Sequence, residues 1–302
     1  MRFATYDRFT LDLPAAHRYP IGRYRLLREL LEADGHQLVE PEAAPWEQLA
    51  RVHDAGWLAR LRDGELSERE RRAIGLPWSP QLVERSRRAV GATIVAARDA
   101  LAHGVGMSLG GGLHHAGRAG GRGFCVLNDM AVAIAALRDE GAVDRVVVLD
   151  CDAHQGEGTA ELLAGDDAAL TISLHARPKG AARRVVPSDV DIPLPAGTGD
   201  DAYLDALAAA LDRALADPAP ALAFYVAGAD AWDGDRLGRL GLTKEGLLRR
   251  DVTVLTRLRA AGVAVCVLLA GGYAPDVADT VAINAATARA AVDVHDGYPP
   301  AP

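Results

Sequence analysis

Arg145-Val-Val-Val-Leu-Asp-Cys-Asp-Ala-His-Gln-Gly-Glu-Gly158 decides how the rest of the chain is read. Val146 to Leu149 is a run of four apolar residues, the pattern of a strand buried on both faces in a parallel sheet. The run passes straight into Asp150, Asp152, His154 and Glu157, and then into a glycine-bracketed helix start. In open α/β sheets, ligands bind beyond the carboxyl ends of the strands, where this cluster falls. Burying carboxylates there is costly unless a cation neutralises them, so Asp-x-Asp-x-His in this setting points to a metal. Any one of these residues reads equally well as a helix cap or a satisfied core histidine. Their grouping at the end of one apolar strand favours the metal.

The same logic recurs on either side. Val105 to Leu109 is a brief strand ending in Gly110-Gly-Gly-Leu-His-His-Ala116. Consecutive glycines permit backbone paths closed to other residues, so His114 and His115 can be aimed into one pocket. A phosphate loop is the rival reading of Gly110 to Gly112, but no Gly-Lys-Ser/Thr follows and the glycine order does not fit a dinucleotide fingerprint. Gly117 to Gly123 is a polar loop, and Phe124 to Asn128 leads into a helix through Arg138. Downstream, Ala169 to Leu174 is an apolar strand with Ser173 and Leu174 at its end. Pro187 to Gly199 reads as a Pro/Gly-rich loop and Asp201 to Ala216 as an amphipathic helix. Ala221 to Ala227 is a further buried strand that releases Asp230, Asp233 and Asp235; an Asx-rich turn is the plainer reading. Val263 to Leu269 is the last buried strand, ending in Ala270-Gly-Gly-Tyr273, with Pro275 opening a terminal helix.

The N-terminal part reads as scaffold. Met1 to Asp7 holds a first strand, Ile21 to Asp34 a helix with a Leu26, Leu27, Leu30, Leu31 stripe, and Leu38-Val39 a short strand. Two short helices fill Trp46 to Arg62, Arg60 to Arg72 is a charged surface segment, and Ser79 caps a long helix to about Ala102. Strand–helix alternation with no repeats and no linker predicts one α/β domain over residues 1–302. Its form is a three-layer α/β/α sandwich on a mainly parallel sheet, with residues 292–302 as a loose tail.

Composition bounds the function. The chain has 302 residues, 49% of them hydrophobic and 25% charged, ordinary for a soluble globular protein. No apolar run reaches the roughly 18 residues of a membrane span. The N-terminus lacks a signal-peptide pattern, and Cys125, Cys151 and Cys266 form no spaced framework, so a reduced, cytoplasmic setting is expected. A formal net charge of −8 argues against nucleic acid as a partner. Nothing in the sequence speaks to oligomeric state.

Taken together, Gly110-Gly-Gly-Leu-His-His, Gly123-Phe-Cys, Leu149-Asp-Cys-Asp-Ala-His-Gln-Gly, Val190-Asp-Ile-Pro-Leu-Pro-Ala-Gly-Thr, Gly234-Asp-Arg-Leu-Gly and Gly271-Gly-Tyr resemble the zinc-dependent histone deacetylase family. The wording is closest to its class IV branch. The resemblance implies an arginase/deacetylase fold with an eight-stranded parallel sheet. It implies Asp152, His154 and Asp235 as ligands of zinc, or alternatively ferrous iron; Asp235 is chosen because it matches the family's Gly-Asp pair. His114 and His115 become tandem catalytic histidines, backed by Asp150 and Glu157, and Tyr273 the catalytic tyrosine. Gly123 and Phe124 match one wall of an acyl channel. Asp150, Ser173 and Leu174, with the backbone of Asp152 and His154, match a structural potassium site. The substrate class implied is an acylated lysine in a peptide or protein, or a small acylated amine such as an acetylated polyamine.

Two departures matter. Glu157 stands where relatives carry a shorter Asp or Asn, which leaves its reach to His115 open. Ala176 to Arg184 holds no aromatic for the second channel wall, which implies room for acyl chains longer than acetyl. A ureohydrolase with paired manganese shares the fold and is kept in view by Asp233 and Asp235. A non-catalytic acyl-amine binding protein, or a cysteine hydrolase using Cys125 or Cys151, has less to support it.

Overall fold

Residues 1–14, 17–178, 186–216 and 218–298 are described by the computed structural model. Eight strands form one sheet in the order β2-β1-β3-β8-β7-β4-β5-β6. They are β1 (Arg2–Ala4), β2 (Gln37–Val39), β3 (Val105–Ser108), β4 (Val146–Asp150), β5 (Ala169–Ala176), β6 (Val190–Leu194), β7 (Leu222–Val226) and β8 (Ala264–Leu268). Every pairing is parallel. The central strands are apolar throughout because both faces are covered. Val147, Leu149, Tyr225, Val265 and Val267 pack into one core, and Val146, Val148, Phe224, Cys266 and Leu268 into the other. Alternation of side chains across a strand makes that division automatic.

The helices divide accordingly. α1 (Gly22–Ala33), α8 (Asp200–Ala214), α9 (Lys244–Ala260) and α10 (Val277–Gly297) supply the first core. The second is closed by α2 (Trp46–Leu49), α3 (Ala55–Asp63), α4 (Glu68–Ile74), α5 (Pro80–His103), α6 (Asp129–Asp139) and α7 (Glu157–Leu163). This is the expected three-layer α/β/α architecture. No helix of the described residues is long and apolar enough to cross a membrane, and Cys125, Cys151 and Cys266 are free thiols.

Three expectations are corrected. The charged Arg60 to Arg72 segment contains α4, nucleated by a capping box in which Ser67 and Glu70 satisfy each other's backbone N–H groups. The Pro187 to Gly199 loop contains β6, whose Pro193 is tolerated because the strand lies at the sheet edge. The tail from residue 292 is helical through Gly297, anchored by buried Val294; residues 299–302 lie outside the described part.

Candidate active site and metal centre

The carboxyl ends of β3, β4, β7 and β8 meet at one rim, and the polar residues that follow them converge there. Asp230 sits in a short 3-10 turn, Ala229–Ala231, directly after β7. Asp152 and His154 follow β4, and donor atoms of all three lie within 4.8 Å of one another. His154 Nδ1 is 3.1 Å from Asp152 Oδ1 and 3.0 Å from Asp230 Oδ2. The remaining carboxylate oxygens accept backbone N–H groups, Asp152 Oδ2 from Gly271 at 2.9 Å and Asp230 Oδ1 from Ala153 at 2.9 Å. Gly271 is required by this closeness: a Cβ there would lie 2.3 Å from Asp230 Oδ2.

This donor set fits a divalent cation. Two carboxylates, 2% and 0% exposed, share one imidazole. Burial first, then the charge of Asp152, pushes the Asp230 carboxyl up to about 7. Two oxygen donors and one nitrogen donor leave positions free for water and substrate, as a catalytic zinc site requires.

Asp235, the expected third member, is not in this group. Its Oδ1 accepts from Leu237 N and Gly238 N at 2.8 and 2.9 Å, and its Oδ2 from Tyr273 N at 2.5 Å. The reason is local: β7 ends at Val226, so the first of the three aspartates faces the strand end before the chain turns away. Asp233 is exposed. Asp235 instead tethers the backbone of Tyr273.

The tandem histidines are each held by a carboxylate. His114 Nδ1–H donates to Asp150 Oδ2 at 2.6 Å, and His115 Nδ1–H to Glu157 Oε2 at 2.7 Å. The longer Glu157, at the first position of α7, therefore reaches its partner. The two rings lie 4.1 Å apart and behave oppositely. Burial alone would lower the His114 pKa, but the charges of Asp150 and Asp152 outweigh it and push it up to about 9. Burial and then the charge of His114 hold His115 down at about 4, against the pull of Glu157. Burial would raise Glu157, but the hydrogen bond from His115 holds it at about 2. The loop carrying both histidines hangs on Asp129, whose buried carboxylate accepts Gly112 N, Leu113 N and the Thr93 hydroxyl.

Tyr273 closes the opposite side. Arg23, 4% exposed, donates to Gly272 O at 2.7 Å and Ala270 O at 2.9 Å, fixing the approach to the tyrosine. Burial raises the Tyr273 hydroxyl far above its ordinary range, so it keeps its proton. Phe124 has φ 68°, the one non-glycine at positive φ among the described residues. A bulky residue holds that conformation only where its surroundings impose it. Here Gly123 N and Phe124 N donate to Ala73 O and Ile74 O at the end of α4. The Phe124 ring lies 5.8 Å from Tyr273 and 5.3 Å from Tyr19.

His114, His115, Phe124, Asp152, His154 and Tyr273 line one narrow cleft. The segment expected to lack a second aromatic wall lies largely outside the described residues, from 179 to 185. Asp150 and Ser173 pair across β4 and β5, with Leu174 buried beside them. Sequence reasoning chose Asp235 over Asp230 as the ligand and passed over Arg23 and Asp129. Asn128-Asp129 before an apolar helix was a readable cap, whereas nothing distinguishes Arg23 from any arginine on an amphipathic helix.

Comparison with known proteins shows the family of the chain and its fold. Residues 17–289 match the histone deacetylase domain. An uncharacterized protein of a Picosynechococcus strain is 39% identical over 291 residues, 95% of this chain and 97% of its own. Histone deacetylase 2 of Arabidopsis thaliana is 30% identical over 294 residues, 92% of this chain and 75% of its own. The crystal structure of the HDA15 HD domain superposes with a TM-score of 0.79 over 98% of this chain and 91% of that one, at 22% identity, which speaks to the fold. The chain belongs to the histone deacetylase family.

Proposed function

We propose that the protein is a metal-dependent amidohydrolase that removes acyl groups from lysine side chains or related amines. The observation that carries this is one cleft lined by two carboxylate-backed histidines, a protonated tyrosine, and Asp152 and His154 with Asp230 buried against them. Asp152, His154 and Asp230 would hold the ion, zinc or ferrous iron, and when bound it polarises the acyl carbonyl and acidifies its water. His115 is neutral at pH 7 and leaves Nε2 free, so it takes the proton of the attacking water and returns it to the departing nitrogen. His114, held cationic by its carboxylates, stabilises developing negative charge. The Tyr273 hydroxyl donates to the carbonyl oxygen as it becomes an oxyanion. Water adds to the acyl carbon, the C–N bond breaks, and a carboxylate and a free amine leave. Asp150, Ser173 and Leu174, with the backbone of Asp152 and His154, would hold a potassium ion that braces the ligand loop.

Among the described residues there is one group of three donors close enough to share an ion, which favours a single metal over the paired manganese of a ureohydrolase. For acyl length we favour chains longer than acetyl, as the class IV resemblance implies. The Phe124 ring that lines the cleft supports this, since each methylene buried against it contributes about 0.8 kcal/mol. The test is a panel of lysine peptides carrying acetyl to long acyl groups, with acetylated polyamines, on chain stripped of metal and reloaded with zinc or ferrous iron. Turnover returning with one ion per chain, and kcat/KM rising with acyl length, is expected. A loaded protein that hydrolyses no acylated amine overturns the reading, and acetyl as the best substrate with steep loss beyond it overturns the length preference.

A further inference from the structure

Arg250 lies beneath the cleft, on α9, and is 0% exposed. Its Nη1 donates to Gly228 O at 2.7 Å and to Cys151 O at 3.3 Å. Cys151 immediately precedes Asp152, and Gly228 stands two residues before Asp230. One guanidinium therefore ties together the backbone of the two loops that bring the buried carboxylates face to face. The tie extends further: Ala229 N donates to Gly271 O, and Gly271 N donates to Asp152 Oδ2. Arg250, the peptide after Gly228, Gly271 and Asp152 thus connect the ends of β4, β7 and β8.

The guanidinium is itself held. Asp251 Oδ1 accepts Arg250 Nε at 2.9 Å and the Tyr225 hydroxyl at 2.5 Å, while Asp251 Oδ2 accepts the Thr287 hydroxyl at 2.6 Å. A fully buried charge is retained only when paired and hydrogen-bonded, and a planar fork presents donors in fixed directions that an ammonium cannot reproduce. We infer that Arg250 is a positioning residue for the metal centre, setting the separation of Asp152 and Asp230 through the carbonyls of Cys151 and Gly228. The inference rests on the metal-site reading above. It touches neither substrate nor ion, so its effect belongs in ion affinity and coordination geometry.

The experiment measures cobalt(II) affinity by chelator competition, and the visible spectrum of the bound ion, on the full chain. Arg250→Lys keeps the charge and loses the fork; about 10- to 100-fold weaker binding with an altered spectrum is expected, the scale for groups that orient ligands. Leu258→Ala is the control. Leu258 is buried on α9 two turns beyond Arg250 and takes no side-chain part in the hydrogen-bonded network, so the melting temperature falls while affinity and spectrum stay as in the parent. Tyr225→Phe unpins Asp251 without changing charge, gives a smaller shift in the same direction as Arg250→Lys, and decides the matter if Arg250→Lys does not fold. Parental affinity and spectrum in the folded Arg250 and Tyr225 variants overturn the inference, as does an equal loss in Leu258→Ala. A parent chain that binds no divalent ion overturns the metal reading itself, and this inference with it.

Discussion

At the scale of single residues, two aspartates separated by five positions do different work. Asp230 belongs to the buried group with Asp152 and His154, while Asp235 tethers Tyr273 N. Asp230→Asn is therefore expected to abolish tight ion binding. Asp235→Asn is expected to keep the ion and lower kcat, because an amide that turns its nitrogen toward Tyr273 N cannot accept that bond. Metal content and kcat measured on both variants check the split, and equal ion loss would undo it. Tyr273→Phe should likewise retain the ion while kcat falls by about 10²–10³, the scale of one oxyanion donor; near-normal turnover would remove the hydroxyl from the chemistry. Motif spacing could not separate the two aspartates. Asp235 matched a two-letter pattern, but the choice is made by where β7 stops and by a turn three residues long. Glu157 shows the complementary case. Its identity was legible, whereas its reach depended on starting α7 beneath His115.

At the scale of elements, His53 joins three segments that the sequence shows as unrelated. Its Nδ1–H donates to Gly117 O at 3.0 Å and its Nε2 accepts Asn128 N at 3.0 Å, bonding the loop after α2 to the glycine-rich loop and to the cap of α6. Only the neutral imidazole can make both bonds, and burial lowers its pKa from 6.5 to about 4. Between those two values the unfolded chain binds a proton that the folded chain refuses. The stabilisation from His53 is thus present above pH 6.5 and lost as the pH falls toward 4. Thermal melts across this window should show the parent losing stability more steeply than His53→Gln, so that their melting temperatures approach each other at acid pH. Parallel slopes would remove His53 as the cause. The major helices and buried strands were readable because their apolar spacing matches their period. α4 and β6 were not, since one is charged around its surface and the other is a half-exposed edge containing Pro193. Yet α4 holds Phe124 in its constrained conformation, so an element with little apolar pattern shapes the cleft wall.

At the scale of the whole molecule, the alternation of strands and helices was enough to read a layered sandwich, but the order of strands was not. Nothing in the apolar run of β8 says that the last strand in the chain lies inside the sheet, between β3 and β7. That placement has a consequence for how the protein comes into being on the ribosome. Synthesis delivers β1 to β3 and β4 to β7 first, and until residues 264–268 emerge these are two separate ribbons. Each presents an unsatisfied apolar edge, β3 in one and β7 in the other, of the kind that pairs with neighbouring chains. Gly271, which holds Asp152, and Tyr273 emerge later still. A nascent chain stalled before β8 should therefore be a substrate for chaperones and unable to retain the ion, whatever the ion's concentration around it. Release of such a chain, truncated after Ala260, should yield aggregates that bind no cobalt, whereas the full chain closes the sheet and completes its site with the last-made strand.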